Sequence, residues 1–247
     1  MVKEDMIAVI LAAGMAKRLR PLTDECPKCL LRVGQLTLLQ RTVNAVVNAG
    51  INEFVVVTGY RNSMIVDFLK TNYPSLTLHF IDNPNYAHNN NIFSLWLTRP
   101  YTDGKDFLLL DSDILFDPAI IPAVINQKES VLALNRHELG EEEIKVIVDD
   151  EGFVREISKV CSIEKAIGES VGIEKMTADY SKALFEELQQ MIEEEGLIDV
   201  FYEKAFERLI PQGHTFRIVD TTKYFSIELD TVEDFENAKK LIPANLY

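Results

Sequence analysis

Two cationic side chains follow a glycine-containing loop near the start of the chain, and this arrangement could bind phosphate groups. The apolar run at 7–13 has the length of a buried parallel strand, and open α/β sheets bind ligands at the loops after such strands. Backbone N–H groups in the loop can hold phosphate oxygens, and fixed cations beside them suit a polyphosphate. We therefore predict a nucleoside triphosphate site. Its predicted residues are Leu11, Ala12, Ala13 and Gly14, with Arg18 and Lys28.

Two pairs of acidic residues follow apolar runs later in the chain and could hold a divalent cation. Asp111 and Asp113 come after one run, and Glu228 and Asp230 come after another. Strand alternation would place both members of a pair on one face. The carboxyl ends of parallel strands share a sheet edge with the opening loop, and Mg²⁺ prefers oxygen ligands. The pairs therefore predict an Mg²⁺ site, with loop or helix capping as the alternative role of each pair.

Three consecutive asparagines at 89–91 precede a helical pattern that has Ser94 in its first turn. Their amide groups offer donors and acceptors that suit the polar edge of a pyrimidine or a ribose hydroxyl. Asparagine is also a common helix N-cap, and the residue chemistry by itself favours that simpler role. A nucleotide contact at Asn90, Asn91 and Ser94 therefore needs support from the rest of the sequence.

Taken together, these segments resemble the nucleotidyltransferases that activate sugar phosphates and phosphocholine. The opening motif of that family reads LAAGxGxRLxPLTxxxPKxL, and this chain follows it with one departure, Ala16 in place of the second glycine. If that position needs positive φ, alanine costs on the order of 1 kcal/mol there. The Asn-Asn-Ile-Phe-Ser segment at 90–94 resembles the Asn-Asn-Ile-Tyr-Ser of the phosphocholine and aminoethylphosphonate cytidylyltransferases. That likeness favours CTP as the nucleotide.

The resemblance implies a role for each candidate residue in a nucleotidyl transfer reaction. Arg18 would hold the leaving phosphates of the triphosphate, while Lys28 and Lys159 would orient the reacting phosphates. The implied Mg²⁺ ligands are Asp113, Asp230 and Glu228. The implied nucleotide contacts also include Asn90, Asn91, Ser94 and Asp111.

The acceptor that the resemblance implies is a small phosphate or phosphonate compound. Lys159 lies in a segment similar to the strand whose lysine contacts the acceptor phosphate, and Glu169 could face a cationic or hydroxylated head group. Phosphocholine would call for an aromatic cage with nearby acids. The available rings are those of Trp96, Tyr86, Tyr180 and Tyr224. Phosphocholine, aminoethylphosphonate, inositol phosphate and sugar phosphates all stay open as acceptors.

The hydrophobic pattern predicts a single compact α/β unit over 1–247. Strand-like apolar runs alternate with helical periodicity in about the first hundred residues, which is the signature of a doubly wound parallel sheet. From residue 130 onward, short strands separated by turns indicate a mixed or antiparallel extension. With the resemblance, we expect a Rossmann-like mixed sheet of the nucleotide-diphospho-sugar transferase type. About 1–125 would bind the nucleotide, and about 126–247 would bind the acceptor.

The net charge of −14, from 25 Lys and Arg against 39 Asp and Glu, argues against nucleic acid and anionic membranes as partners. An excess of cations in 1–41 points instead to a small anionic ligand. No apolar run approaches the roughly 18 residues of a membrane span, and no signal-peptide pattern opens the chain. We therefore expect a cytoplasmic protein. Cys26 and Cys29 lack a second pair at zinc spacing and are interpreted as incidental; the oligomeric state stays open.

These observations predict an Mg²⁺-dependent cytidylyltransferase that transfers CMP from CTP to a phosphocholine-like acceptor and releases pyrophosphate. The nearest alternative is a sugar-1-phosphate nucleotidyltransferase that uses UTP, dTTP or CTP. A glycosyltransferase with Asp111 and Asp113 as its metal motif is disfavoured, because its nucleotide-sugar donor has no γ-phosphate for Arg18 and Lys28 to hold. An inactive nucleotide-binding regulator is a further alternative, suggested by Ala16 alone.

Overall fold

A mixed sheet of nine strands forms the centre of the computed structural model, which describes residues 6–246. The strands are β1 Ile7–Ala12, β2 Arg32–Val33, β3 Leu36–Thr37, β4 Glu53–Thr58, β5 Thr77–Asp82, β6 Phe107–Asp111, β7 Ile114–Phe116, β8 Val131–Asn135, β9 Lys145–Val148, β10 Val154–Ser158, β11 Gly168–Met176, β12 Arg217–Asp220 and β13 Ser226–Glu228. The helices are α1 Leu38–Asn48, α2 Asn62–Asn72, α3 Asn91–Leu97, α4 Arg99–Thr102, α5 Ile120–Ile125, α6 Ala178–Gln189, α7 Glu203–Leu209 and α8 Val232–Leu241.

The first half of the chain builds the parallel part of the sheet, in the order β5-β4-β1-β6. Every residue of β1 is buried, and its side chains alternate between two apolar cores on opposite faces of the sheet. A strand covered on both faces has no water-facing side, which is why its sequence is continuously apolar. The predicted doubly wound parallel arrangement is confirmed.

The second half adds strands antiparallel to this unit. Strand β11 runs antiparallel to β6, β8 and β9, and β12 joins the outside of β8 as a parallel strand. The predicted mixed extension is therefore confirmed. Strand β11 is longer than the short strands that the sequence predicted after residue 130, and it includes the charged residues Glu174 and Lys175. Both are buried between β6 and β8. Their place in a strand follows from this packing and could not be predicted from their residue type.

A second, two-stranded sheet joins the end of the chain to the segment after β6. Strand β13 pairs antiparallel with β7, so that Glu228 lies opposite Ile114. The N–H of Leu229 donates to the carbonyl of Asp113 at 3.1 Å, which continues this pairing. Beyond it, Thr231 caps helix α8. Two acidic segments far apart in sequence are thus held side by side by backbone hydrogen bonds.

The helices follow the apolar periodicity, with differences at their ends. Helix α1 is one of the helices that the periodicity of the first hundred residues predicts, and Gly50 follows its end with a φ of +95°. Helix α6 ends at Gln189, where one π-helical turn, Gln190–Glu194, continues it. Within residues 6–246, no helix combines the length and the apolar character that crossing a membrane requires. The cytoplasmic location stays a prediction.

Candidate active site

One cleft of about 820 Å³ opens at the carboxyl ends of the parallel strands, and every residue that the sequence analysis assigned to a site lines it. These residues are Leu11, Ala12, Ala13, Gly14, Arg18, Lys28, Asn90, Asn91, Ser94, Asp111, Asp113, Lys159, Glu169, Glu228 and Asp230. They come from both halves of the chain. The geometry brings the residues together, while their individual roles stay predictions.

The opening loop packs closely against the exit of strand β4. A Cβ on Gly59 would lie 2.8 Å from the carbonyl oxygen of Ala13 and 2.8 Å from Cβ of Tyr86, so only glycine fits there. The N–H of Tyr60 donates to the same Ala13 carbonyl at 3.0 Å. A Cβ on Gly14 would meet no atom within 4 Å, which leaves that part of the loop open to the cleft. The close approach that needs glycine is therefore at Gly59, and Gly14 faces free space.

Ala16 adopts the left-handed conformation that the family's glycine would allow, with φ 45° and ψ 55°. Its carbonyl accepts from the Thr23 hydroxyl at 2.9 Å and from the Leu19 N–H at 3.1 Å, which stabilises this conformation. A non-glycine residue here costs on the order of 1 kcal/mol. The positive φ on which the expectation depended is therefore present, and the energetic cost of alanine stays a prediction.

Lys28 forms a bridge between two acidic segments of the cleft. Its ammonium donates to Asp113 Oδ2 at 3.0 Å and to Asp230 Oδ1 at 2.8 Å, and its side chain is only 10% exposed. Arg18 forms a further ion pair with Asp230. Burial disfavours the ammonium, but the charges of Asp113 and Asp230 outweigh it and raise the pKa of Lys28. Burial likewise opposes ionisation of Asp230, and Lys28 and Arg18 outweigh it and lower the pKa of that carboxyl.

Asp113, Glu228 and Asp230, which we name the outer carboxylates, can converge on one cation. Each offers one oxygen, and these oxygens lie within 4.8 Å of one another. Loss of hydration, together with the charges of Asp113 and Asp230, raises the pKa of Glu228 to about 8. Such mutual repulsion is what a bound divalent cation relieves, and an all-oxygen donor set suits Mg²⁺. The residues present fit the predicted metal.

Asp111 and Asp113 both line the cleft, and the charge of Asp113 acts on Asp111, but the two carboxylates have different hydrogen-bond partners. Strand β6 ends at Asp111 and the chain bends at Ser112 and Asp113, so strand alternation does not reach the second aspartate. Asp111 Oδ2 instead accepts from the buried Tyr202 hydroxyl at 2.9 Å. A Cβ on Gly172, whose φ is +73°, would lie 2.8 Å from the same oxygen. Asp111 therefore faces the strand β11 side of the cleft.

Asp111, Glu174 and Glu203 form a second acidic group, which we name the inner carboxylates. Burial, with the charge of Glu203, raises the pKa of Glu174 to about 8, and burial raises the pKa of Glu203 to about 7. Burial and the neighbouring carboxylates raise the pKa of Asp111 well above its ordinary value. Ser170 donates to Glu174 Oε1 at 3.0 Å. Among residues 6–246, no ion pair joins an inner carboxylate to a lysine or arginine.

The asparagine segment at 89–91 caps helix α3 and also lines the cleft. Asn90 caps helix α3 by accepting from the Asn91 N–H at 2.8 Å, which is the simpler role considered for it. Asn91 Oδ1 accepts from the Tyr202 N–H at 2.9 Å and so ties α3 to the start of α7. Asn83, fully buried, donates to Ser94 Oγ at 3.2 Å. The polar wall is therefore fixed by internal hydrogen bonds before any ligand binds.

Lys159 lines the part of the cleft that the second half of the chain builds. Its ammonium is 3.3 Å from Glu142 Oε2 and 5.0 Å from the centroid of the Phe201 ring. The buried Lys145 ammonium donates to the Lys159 carbonyl at 2.6 Å and also to the carbonyls of Glu141 and Glu143. Lys145 therefore fixes the backbone of Lys159 and of the acidic loop beside it.

Glu169 lies in this part of the cleft and pairs with a histidine. His137 Nε2 is 2.8 Å from Glu169 Oε1, and His137 Nδ1 is 2.8 Å from the Glu138 carbonyl. Partial burial opposes the charged imidazole, but the hydrogen bond and charge of Glu169 outweigh it and raise the pKa of His137. The carboxylate proposed for the acceptor head group thus already has a partner.

Several cleft residues escaped the sequence analysis. Asn83 directly follows β5, so the rule that found Gly14 and Asp111 at strand ends could have found it. Glu203 and Phe201 carry no such signal, because their segment matches a solvated amphipathic helix. Three of the four proposed cage aromatics lie elsewhere. Tyr180 packs against Phe206 and Phe216, Trp96 against Phe185, and Tyr224 against the core around β6; Tyr86 lines the cleft.

The chain belongs to the nucleotidyl transferase family. The family described as "Nucleotidyl transferase" matches residues 7–135, which is more than half of the chain. The resemblance inferred from the motifs is therefore confirmed at the level of the family.

Curated relatives include several nucleotide-transferring enzymes. A "bifunctional IPC transferase and DIPP synthase" from Aquifex aeolicus is 28% identical over 236 residues, which cover 95% of this chain and 51% of that protein. A choline-phosphate cytidylyltransferase from Streptococcus pneumoniae is 37% identical over 38% of this chain and 39% of its own length. A UTP–glucose-1-phosphate uridylyltransferase from Haloferax volcanii is 32% identical over 50% of each chain. The matches thus span about half, or less, of these relatives.

The fold agrees with solved structures of the same kind. The structure of CTP:phosphocholine cytidylyltransferase from Streptococcus pneumoniae superimposes with a TM-score of 0.83 at 21% identity, covering 97% of this chain and 100% of that one. At this identity the likeness establishes the fold. The single α/β unit with a mixed sheet of the nucleotide-diphospho-sugar transferase type is confirmed.

Proposed function

We propose that this protein is an Mg²⁺-dependent cytidylyltransferase that transfers CMP from CTP to a small phosphate or phosphonate acceptor. The observation that carries the proposal is the meeting of Lys28 and Arg18 with the outer carboxylates at one end of a single cleft. Two cations and three carboxylates beside a strand-end loop suit a triphosphate with a bound metal ion. The reaction then depends on positioning and charge stabilisation and requires no protein nucleophile. Residues up to about 125 would bind CTP, and the later ones would bind the acceptor.

In the proposed reaction, an acceptor oxygen attacks the α-phosphorus of CTP in line with the bond to the β-phosphate. The new P–O bond forms as the old one breaks, and pyrophosphate leaves with the bonding electron pair. Arg18 would hold the leaving phosphates, Lys28 the α-phosphate, and Lys159 the acceptor phosphate. Mg²⁺, held by the outer carboxylates, would supply neutralisation of the phosphate charges. Lys145 would keep Lys159 in position by donating a hydrogen bond to the Lys159 carbonyl.

The choice of CTP draws support from the Asn90–Ser94 segment and from the cytidylyltransferase among the relatives. A sugar-1-phosphate nucleotidyltransferase is the second candidate, which the uridylyltransferase relative favours. Both candidates use the same charged groups, so they differ only in the base and in the acceptor.

The test is a pyrophosphate-release assay that crosses CTP, UTP, dTTP and ATP with four acceptors. The acceptors are phosphocholine, aminoethylphosphonate, inositol phosphate and glucose-1-phosphate. Release with CTP and a phosphate or phosphonate acceptor, abolished by EDTA and restored by Mg²⁺, is the expected result. A requirement for UTP or dTTP with glucose-1-phosphate would establish the second candidate, and no release with any pair would reject both.

A further inference from the structure

We propose that the acceptor carries a positively charged nitrogen, and that Glu203 and the ring of Phe201 form the subsite that binds it. The inference rests on the proposed function, because it concerns the second substrate of that reaction. It assigns the acceptor to the phosphorylated or phosphonate amines and quaternary ammonium compounds. Polyol and sugar phosphates, which present neutral hydroxyl groups, would be poor acceptors.

Glu203 presents an unsatisfied oxygen to the cleft. Its side chain lines the cleft although the residue is only 6% exposed, and its Oε2 has no hydrogen-bond partner among the described residues. A buried carboxylate oxygen without a donor has lost its hydration with no hydrogen bond to offset that loss. A ligand that brings a donor into this end of the cleft offsets that loss, so Glu203 is poised for a ligand rather than for an internal contact.

The other carboxylates at this end of the cleft already have partners. These pairs are Glu169 with His137 at 2.8 Å, Glu142 with Lys159 at 3.3 Å, and Glu143 with the Gly140 N–H at 2.9 Å. Glu174 Oε2 also lacks a partner, but among residues 6–246 Glu174 is not part of the cleft lining, so Glu203 is the cleft carboxylate with a buried, unpartnered oxygen. An incoming cation can bind it without breaking an existing ion pair.

The electrostatic surroundings favour a cation over a hydroxyl group as the donor. Glu203 is buried, and its carboxylate lines the cleft with one oxygen that has no donor. A hydroxyl would satisfy that oxygen and leave the carboxylate charge uncompensated, whereas an ammonium group would donate to the oxygen and also neutralise the charge. A cationic nitrogen therefore fits Glu203 better than a polyol does.

Phe201 adds an aromatic face beside this carboxylate. The residue is 43% exposed at the cleft, and the Lys159 ammonium lies 5.0 Å from the centre of its ring. A cation near an aromatic face is attracted by the negative charge density of the ring face. The ring is thus already in contact with an ammonium group, and it offers the same attraction to the nitrogen of an acceptor.

The experiment compares charged acceptors with neutral acceptors of the same shape. Phosphocholine is paired with 3,3-dimethylbutyl phosphate, in which a carbon replaces the nitrogen, and phosphoethanolamine is paired with propyl phosphate. With CTP and Mg²⁺, we expect kcat/KM to favour the charged member by at least about 10-fold. Glu203→Gln should lower kcat/KM for the charged members by about 10- to 100-fold and erase the preference, while the KM for CTP stays unchanged.

Glu207→Gln, on the same helix but outside the cleft, is the matched control and should retain the preference. Phe201→Leu is a second variant on the exposed ring, and it should reduce the preference by a smaller factor. Equal use of charged and neutral acceptors, or an undiminished preference in Glu203→Gln, would overturn the inference while the cytidylyltransferase stands. Absence of pyrophosphate release with every pair in the wider acceptor panel would reject the proposed function itself.

Discussion

The outer and inner carboxylates lie on the two sides of the bend that follows strand β6, and they differ in their partners: Asp113 and Asp230 of the outer group form ion pairs with lysine or arginine. Lys28 and Arg18 pair with the outer group and lower the pKa of Asp230. No such pair reaches the inner group within residues 6–246, and burial raises the pKa of Glu174 to about 8. Asp230 of the outer group therefore stays ionised in neutral solution, whereas Glu174 of the inner group holds its proton.

This difference shows that the role of a carboxylate depends on whether neighbouring cations compensate its charge. Asp113 and Asp230 are partly exposed, and Lys28 and Arg18 favour the charged form of Asp230 that a metal ligand needs. Glu174, which is fully buried, carries its proton in neutral solution and contributes packing and hydrogen bonds. Glu203 lies between these cases, since it is buried but reaches the cleft.

The largest effect should follow from removing the cation of the outer group. Lys28→Met keeps the apolar length of the side chain and removes the charge that joins Asp113 to Asp230. We expect kcat/KM for pyrophosphate release to fall by at least about 100-fold, because a preorganised charge on the transferring phosphate is lost. The thermal unfolding temperature should change little, since both aspartates have access to water.

Lys105→Met, at an exposed position outside the cleft, is the control and should keep full activity. A Lys28→Met enzyme with the kcat/KM of the wild type would remove Lys28 from the reaction and erase the functional difference between the two acidic groups.

Metal binding should distinguish the two groups directly. Asp113→Asn removes one outer oxygen ligand, and we expect it to weaken Mn²⁺ binding by at least about 10-fold, measured by electron paramagnetic resonance titration. Glu174→Gln in the inner group should leave the Mn²⁺ affinity unchanged. Similar losses in both variants would mean that the two groups form one metal site.

The buried acid of the inner group should make the folded protein less stable as the pH rises. The pKa of Glu174 is about 8 in the folded chain, against 4.5 for the ordinary side chain. Between these values the folded state holds a proton that the unfolded state has lost, so the free energy of unfolding falls as the pH increases. Glu174→Gln cannot lose a proton, and we expect it to be more stable than the wild type by about 1–3 kcal/mol at pH 8.5.

Urea unfolding at pH 5.5 and pH 8.5 measures this effect, with exposed Glu156→Gln on strand β10 as the control. The gain should shrink or disappear at pH 5.5, where wild-type Glu174 is itself protonated. A gain of equal size at both pH values would contradict the assigned cause.

The smallest effect should come from the loop on the outer side. Ala16→Gly removes the steric strain of an alanine in the left-handed conformation, which should stabilise the folded state. The greater conformational freedom of glycine in the unfolded chain offsets part of this stabilisation. We expect thermal unfolding to show a net stabilisation of about 0.5–1 kcal/mol, with a modestly lower KM for CTP. Ala123→Gly in helix α5 should have the opposite sign, because that alanine is helical. Destabilisation by Ala16→Gly would show that the left-handed backbone does not strain this position.

Local patterns in the sequence determined the elements and most of the cleft. The continuous apolar run of β1 predicted a strand buried on both faces, and the rule that ligands bind at strand ends predicted that Gly14, Lys28 and Asp113 would meet. The motif resemblance added Asn90 and Lys159, which nothing in their own chemistry could have assigned. Each of these inferences uses neighbours in sequence or a general property of parallel sheets.

The tertiary structure alone decided which acids share a cation. The pairing of β13 with β7 and the hydrogen bond from Leu229 to Asp113 place Asp230 beside Lys28, although 202 residues separate them along the chain. The burial of Glu174 and Glu203 likewise depends on strands and helices that are distant in sequence. A carboxylate's pKa and its partners are set by the solvent and charges around it, and those surroundings exist only after the chain has packed.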